Sequence, residues 1–384
     1  MINQKKSRKK TVLIITSHYP PNIGGVESHL QALVNALLKR NWQVIISTYQ
    51  PLASKKHAKI IDRQGDLIIY RAPWLGFNIV HKLTPYPPLE FLYLFPLLCI
   101  TSLFICYRHF KDIKVIHSQG LVPATIGLLL KNLFNKRLIS SIHNLYFYPK
   151  TGLYRTAARI IFSGSDLVLA PTSLAQDELR SIGIPKEKVS GFRYWLDLDK
   201  FKPTKKTLAK NKLKWRVFTA FFVGRLIKTK GVLEILKSLK KLDKHIKVVI
   251  AGDGPLRLMV EQAAKEYPNL DFLGRVENYD LPEYYSAADL LLVPSLVDEG
   301  WGFVAMESIS CGTPVISARK GGLSDVVNKD VGILIEPNAK ELKEAMESFY
   351  KNRSSLQKLA KNTRKYAKKN FGEDSVKLII TAYK

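Results

Sequence analysis

Two apolar patterns alternate along the chain. Short unbroken runs, TVLIITS, WQVIIST, KVIHSQG, RLISSIH and DLVLAPT, are separated by longer stretches, VESHLQALVNALLKR, LVPATIGLLLKNLF and SLAQDELRSIG, in which apolar residues return every three or four positions. The runs predict strands buried on both faces, and the periodic stretches predict amphipathic helices. Strand and helix in turn predict a parallel sheet covered on both sides. Residues 202–216, KPTKKTLAKNKLKWR, then carry seven basic residues, no acid and no apolar period, which predicts an interdomain linker. The alternation restarts with VFTAFFVG, GVLEILKSLKKL, IKVVIAG, PLRLMVEQAAKEY, DLLLVPS, FVAMESISCG, TPVISA and VGILIEP. The predicted division is a first α/β domain over 1–195, a basic linker over 196–216, a second α/β domain over 217–365, and a C-terminal helix over 366–384 that packs back on the first domain. Two such domains imply a ligand cleft between the carboxyl ends of their strands.

Composition adds charge and compartment. The 384 residues hold 60 Lys and Arg against 32 Asp and Glu, a net charge of +28 spread over both halves. That surplus favours a polyanionic partner, whether nucleic acid, anionic lipid or a phosphorylated substrate; a generally lysine-rich composition explains it as well. Cys99, Cys106 and Cys311 have neither zinc-ligand nor disulfide-framework spacing, so a reducing, cytoplasmic setting is expected. The start, MINQKKSRKKTVLIITS, reads as a basic arm before a buried strand rather than a signal peptide. The apolar stretch 91–107, FLYLFPLLCITSLFICY, contains Pro96 and falls short of the ~20 residues a spanning helix needs. A core helix with one face on a sheet ranks first there, an interfacial helix on lipid second and a transmembrane span last.

Four constellations carry candidate chemistry. In GRLIKTKG, Gly224 lets the chain turn after a strand, and Arg225 and Lys230 converge with a helix start at Gly231. Two cations and a helix amino terminus suit a diphosphate, although an exposed basic turn explains the same residues. In DEGWGFVAMES, Glu299 and Glu307 flank seven residues that include Gly300 and Gly302. Amides there can face a phosphate, Glu307 can accept from a ribose diol, and Glu299 can meet sugar hydroxyls; the alternative is two solvated glutamates beside a flexible turn. In SHYPPNIGGVESHL, Gly24 and Gly25 allow close backbone approach to a ligand, or serve a turn that needs positive φ. His117 and His143 close two strands, either as structural histidines or near a substrate, with His143 favoured by the following NLYFYP loop. Asp197-Leu-Asp199 reads as capping or packing rather than a metal site, and AGDGPLR as a turn before a helix.

Taken together, GGVE, GRLIKTKG, AGDGPLR, FLGRV, YYSAADLLLVPS, DEGWGFVAMES, CGTPVIS and GGLSDVV resemble, in that order, retaining glycosyltransferases of family 4. The resemblance spans nearly the whole chain and is densest in the second domain. It implies the GT-B fold, two Rossmann-like parallel-sheet domains facing across a cleft, with the acceptor on the first and the nucleotide sugar on the second. It implies a catalytic set of His143, Arg225, Lys230 and Glu299 and no metal. Arg225 and Lys230 would neutralise the donor diphosphate, Glu307 would hold the ribose, and Glu299 would contact the sugar. Gly25 would lie near the phosphates, the amides of Gly302 and Phe303 would meet them, Gly24, Gly224 and Val304 would also line the donor site, and the backbone at Arg275 and Val276 would meet the base. Two positions depart from the family: Tyr194-Trp195-Leu196-Asp197 replaces the usual Asn-Gly-Val-Asp, and Trp301 stands for a Phe or Tyr.

The expected reaction is metal-independent transfer with retention from a UDP- or GDP-linked sugar, needing no cofactor, to a glycan or lipid-linked acceptor in cell-envelope synthesis. Peripheral attachment to an anionic membrane surface is expected from the basic first domain and the apolar, Tyr-rich stretch 86–107, and no specific nucleic acid. A nucleotide-sugar 2-epimerase of the same architecture and a polyanion-binding protein remain alternatives.

Overall fold

The computed structural model describes residues 9–384 apart from 23, 53–56, 75–78, 84, 85, 144 and 300, so Gly300 and most of the amino-terminal basic arm lie outside the described residues. Two compact units divide the chain: Met1–Arg193 with Glu373–Lys384, and Tyr194–Gly372.

The first unit is built on eight strands: β1 (Thr11–Thr16), β2 (Gln43–Tyr49), β3 (Ile61–Gln64), β4 (Leu67–Ala72), β5 (Ile113–Gln119), β6 (Arg137–Ser141), β7 (Leu167–Ala170) and β8 (Val189–Gly191). Their order is β3-β4-β2-β1-β5-β6-β7-β8, parallel except for β3, which runs antiparallel on β4. All six residues of β1 are buried, as an apolar run covered on both faces requires. The β3-β4 hairpin was not among the predicted elements. Its first strand is mostly exposed and polar, so it lacks the apolar run that marks its neighbours.

The apolar stretch 91–107 lies within a helix, Pro87–His109, that lays one face on the sheet. Leu94, Leu98, Ile105 and Cys106 join Leu13, Ile45 and Ile68 in the core. Pro96 has no amide to give, and the turn around it is completed by Tyr49, whose hydroxyl donates to the Leu94 carbonyl (2.7 Å) and accepts from the Leu98 amide (3.3 Å). By length and composition alone this helix is long and apolar enough to cross a membrane. Its outer face exposes Leu89, Leu92, Ile100, Phe104 and Tyr107.

The second unit has six parallel strands: β9 (Phe218–Val223), β10 (Ile246–Ala251), β11 (Leu270–Phe272), β12 (Leu290–Val293), β13 (Val315–Ala318) and β14 (Gly332–Ile335). They are ordered β11-β10-β9-β12-β13-β14. Each sheet reverses its winding once, between β1 and β5 in the first unit and between β9 and β12 in the second. Loops leaving the carboxyl ends of strands at such a reversal diverge and leave room for a ligand.

Two predicted boundaries need correction. Residues 202–216 are no linker; they belong to the second unit, where Lys206–Leu213 is a helix packed on Leu281–Ala287. Lys206 and Lys210 grip the two oxygens of the buried Asp289 at 2.8 and 2.6 Å, and Asp289 also accepts the Thr219 amide. Burial would raise the Asp289 carboxyl, but the two lysines outweigh it and hold it below the usual range. The basic run lacks an apolar period because its anchor is a carboxylate about eighty residues downstream. The C-terminal helix is likewise not one element over 366–384. The helix Arg353–Asn370 stays in the second unit, and only the part from Glu373, with the helix Ser375–Ala382, belongs to the first. There Glu373 pairs with Arg40, and the Tyr383 hydroxyl meets His117 Nδ1 at 2.7 Å.

Candidate active site

In the second unit the loops after β9 and β12 meet at the winding reversal. After β9 the chain turns at Gly224, leaves Arg225 exposed, and makes a short 3-10 turn, Lys228–Lys230, before the helix Val232–Leu239. Gly231 caps that helix at φ +73°, and a Cβ there would stand 1.9 Å from the Pro294 carbonyl oxygen, so only glycine lets the two loops touch. The Leu296 amide donates to the Thr229 carbonyl at 2.8 Å, which ties the loops again. On the other flank, Gly252 (φ +147°) passes so close to Gly224 that a Cβ would lie 1.9 Å from its carbonyl oxygen. The Gly252 amide in turn donates to Gly274, next to Arg275 and Val276. Arg275 is exposed and paired with Glu277 at 3.3 Å.

Lys230 reaches across this junction. Its ammonium donates to Glu299 Oε1 at 2.7 Å, with Lys230 33% and Glu299 13% exposed. The helix Phe303–Ser310 begins where the DEGWGFVAMES pattern placed it, capped by Gly302 at φ +109°. Its first residues, Phe303 and Val304, are half-buried. Glu307, one turn in, is buried, and its Oε2 accepts the Tyr285 hydroxyl at 2.7 Å. Burial pushes the Glu307 carboxyl up to about 7, with the Tyr285 hydrogen bond and Lys200 offsetting part of that rise. Glu299 and Glu307 are therefore neither solvated nor loosely held. Among the described residues no group of three or more His, Cys, Asp or Glu side chains is placed to hold a metal ion.

The two departures from the family pattern pack on each other. Tyr194 is buried with its ring 5.5 Å from Trp301 and 4.9 Å from Phe303. Asp197 Oδ1 accepts the amides of Asp199 and Lys200, a capping role rather than a metal-binding one.

The first unit gathers a second group of predicted residues at the ends of β1, β5 and β6. Gly24 precedes the helix Gly25–Leu38. Its φ of 179° is ordinary extended backbone, so the positive-φ explanation fails for Gly24; the Glu27 carboxylate folds over it, 2.4 Å from where a Cβ would sit, but that flexible side chain could move aside. His143 is buried, with Nε2 2.6 Å from Gln119 Oε1 and its ring against His29 and Phe192. Burial lowers its pKa to about 4, so His143 is neutral near pH 7 and suited to hydrogen bonding rather than to carrying a proton. His117 bridges Ser141 Oγ and the Tyr383 hydroxyl at 2.7 Å each, and burial drops it to about 3; it is structural.

Two family models match the chain: Glycosyltransferase Family 4 over residues 23–199 and Glycosyl transferases group 1 over residues 204–369. This chain is a glycosyltransferase of the family 4 type. The glycosyltransferase is similar to the phosphatidylinositol N-acetylglucosaminyltransferase gpi3 subunit of Schizosaccharomyces pombe, 25% identical over 350 residues that cover 87% of this chain and 72% of the relative. It is also similar to the GDP-mannose-dependent alpha-(1-6)-phosphatidylinositol monomannoside mannosyltransferase of Mycolicibacterium smegmatis, 23% identical over 333 residues and 82% of each chain. Among solved structures, sucrose-phosphate synthase of Thermosynechococcus elongatus has a TM-score of 0.80 at 21% identity, covering 97% of this chain and 98% of that one. The fold of the glycosyltransferase is GT-B, with two parallel-sheet α/β domains.

Three neighbours of the predicted site residues were not singled out from the sequence: Tyr285 beside Glu307, Ser295 beside Glu299, and Gln119 beside His143. Tyr285 and Ser295 lie inside YYSAADLLLVPS, and Gln119 is next to last in KVIHSQG, so each is a polar residue at the margin of an apolar run. That is the one local signal they carry.

Proposed function

We propose that this glycosyltransferase moves a sugar from a UDP- or GDP-linked donor to a lipid-linked acceptor, with retention of configuration and without a metal ion, at the cytosolic face of a membrane. The observation that carries the donor site is the junction of Lys230, Gly231 and Glu299 at the winding reversal of the second sheet. As the bond from the anomeric carbon to the diphosphate lengthens, negative charge grows on the phosphate, and Lys230, Arg225 and the amides at Gly302 and Phe303 are the groups to stabilise it. The leaving phosphate oxygen takes the proton of the acceptor hydroxyl, which attacks from the same face. Glu299 orients the sugar, and Glu307 accepts from the ribose diol.

Two observations support a lipid-linked acceptor. Both relatives above are named for phosphatidylinositol-based acceptors. The helix Pro87–His109 also exposes an apolar outer face, with Lys82, Arg108 and Lys111 in or near it along the chain and the ammonium groups of Lys111 and Lys136 over the Phe110 ring. Shallow insertion plus attraction to anionic headgroups gives reversible attachment. The protein is expected to sediment with anionic vesicles at physiological salt, and Leu92→Glu with Phe104→Glu to release it. Equal sedimentation of that variant, or none by the wild type, would remove the membrane reading.

The donor is tested by thermal stabilisation with UDP, GDP, ADP and their sugar conjugates, with and without magnesium. A ligand at a hundred times its dissociation constant adds about 2.7 kcal/mol to folding. One nucleotide family should raise the melting temperature regardless of magnesium, and no shift with any of them would defeat the donor site.

Glu307 adds a pH dependence with a definite sign. Its folded pKa, about 7, lies above the unfolded value, so the folded state holds the extra proton between roughly 4.5 and 7. Its contribution to stability therefore falls as pH rises through that window and levels off above it. A ribose diol donates to the ionised form, so nucleotide-sugar affinity should rise about tenfold from pH 6 to pH 8. Calorimetric titration should show that rise, and Glu307→Gln should flatten it.

A further inference from the structure

Glu299 is held at both ends by residues to which the donor site so far gives no part. Its backbone lies against the GGLSDVV loop. Gly321 sits at φ +47°, where a Cβ would come 2.6 Å from the Glu299 carbonyl oxygen and 2.8 Å from its nitrogen, and the Gly322 amide donates to that carbonyl at 2.8 Å. Its side chain is gripped from the other direction. Ser295, 1% exposed just past β12, gives its hydroxyl to Glu299 Oε1, the same oxygen that takes the Lys230 ammonium at 2.7 Å.

Both donors therefore fall on one oxygen, and among the described residues neither of them engages Oε2. They differ in what they do when a diphosphate arrives. The lysine ammonium is a mobile cation on a flexible stem, and a diphosphate with two negative charges competes for it against a single carboxylate. Once Lys230 turns toward phosphate, Glu299 loses its charge partner beside a new negative charge, and repulsion favours swinging the carboxylate away. The serine hydroxyl is neutral and short, and an ionised carboxylate offers it only acceptors, so its bond has no reason to leave.

We propose that Ser295 is a positioning residue for Glu299, fixing the carboxylate through Oε1 so that Oε2 stays presented to the transferred sugar while Lys230 serves the diphosphate, with Gly321 anchoring the backbone behind it. The inference rests on Glu299 as the sugar-contacting group of the donor site.

The test measures release of nucleoside diphosphate from the nucleotide sugar that stabilises the wild type, together with affinity for that nucleoside diphosphate alone. Ser295→Ala should lower turnover roughly 10- to 100-fold, as misplacement of a reacting group does. Its nucleoside diphosphate affinity should stay within about twofold of wild type, because that ligand has no sugar for Glu299 to hold. Ser295→Thr, which keeps the hydroxyl, should recover most of the loss. In a Glu299→Gln background the change at Ser295 should cost little more, since the two act as one unit. Turnover by Ser295→Ala within about twofold of wild type would overturn the proposal. So would a full additional loss in the Glu299→Gln background, or a parallel loss of nucleoside diphosphate affinity and melting temperature, which would mark Ser295 as packing for the β12 loop. A wild type that neither binds nor turns over any nucleotide sugar would instead overturn the donor site itself, and the inference with it.

Discussion

Lys230→Ala should lower sugar transfer by roughly 10²- to 10³-fold, the usual loss when a preorganised group facing developing charge is removed. The fold should survive. Lys230 is a third exposed, and its pair with Glu299 is the kind of partly solvated ion pair that contributes about 0–1 kcal/mol. Glu299 keeps its Ser295 hydrogen bond, so the carboxylate is not left stranded. Circular dichroism and the melting temperature should match the wild type, while the stabilisation by nucleoside diphosphate largely disappears. Lys230→Arg keeps the charge but replaces a compact ammonium by a planar fork and should recover only part of the activity. Near-normal transfer by Lys230→Ala would sink the assignment of the diphosphate site.

The largest effect on stability is expected from Gly231→Ala. Its Cβ would stand 1.9 Å from the Pro294 carbonyl oxygen and 2.8 Å from the Pro294 carbon, at φ +73°. The left-handed backbone costs about 1–2 kcal/mol for a residue with a Cβ. The contact adds more, because the opposing atoms are backbone at the end of β12 and cannot rotate away; the total should reach about 3–5 kcal/mol. Gly274 supplies the control within the same unit, since it sits at φ +65° with nothing within 4 Å of a Cβ. Gly274→Ala should lose only the backbone part, about 1–2 kcal/mol. Denaturant midpoints for the two variants should differ clearly, and Gly231→Ala should also weaken donor binding because it pries apart the two loops that form the site. Equal midpoints would show that the two loops are not locked at Gly231.

Much of this architecture was legible locally. The apolar runs became the parallel strands β1, β2, β5, β6, β7, β9, β10, β12, β13 and β14, because a strand buried on both faces must be apolar throughout. Gly224, Lys230, Glu299 and Gly302 fell on loops that leave strand ends, because glycine and charge interrupt apolar runs where the chain must turn. What failed depended on distant partners. The basic stretch at 202–216 looks like a linker until Asp289 is placed beneath it, and the split of 366–384 between units follows from what each half packs against. His117 and His143 look alike as strand-end histidines; Tyr383, far along the chain, makes the first structural, and Gln119 pairs with the second.

By itself, the sequence determined the periods of its elements and the chemical types at their ends, since both are properties of neighbouring residues. Only the tertiary structure decided that Lys230 and Ser295 share one oxygen of Glu299, that Tyr285 holds Glu307, and that burial raises one carboxyl and keeps His143 neutral. Partner identity and desolvation arise from residues brought together by sheet order, and no window along the chain contains them.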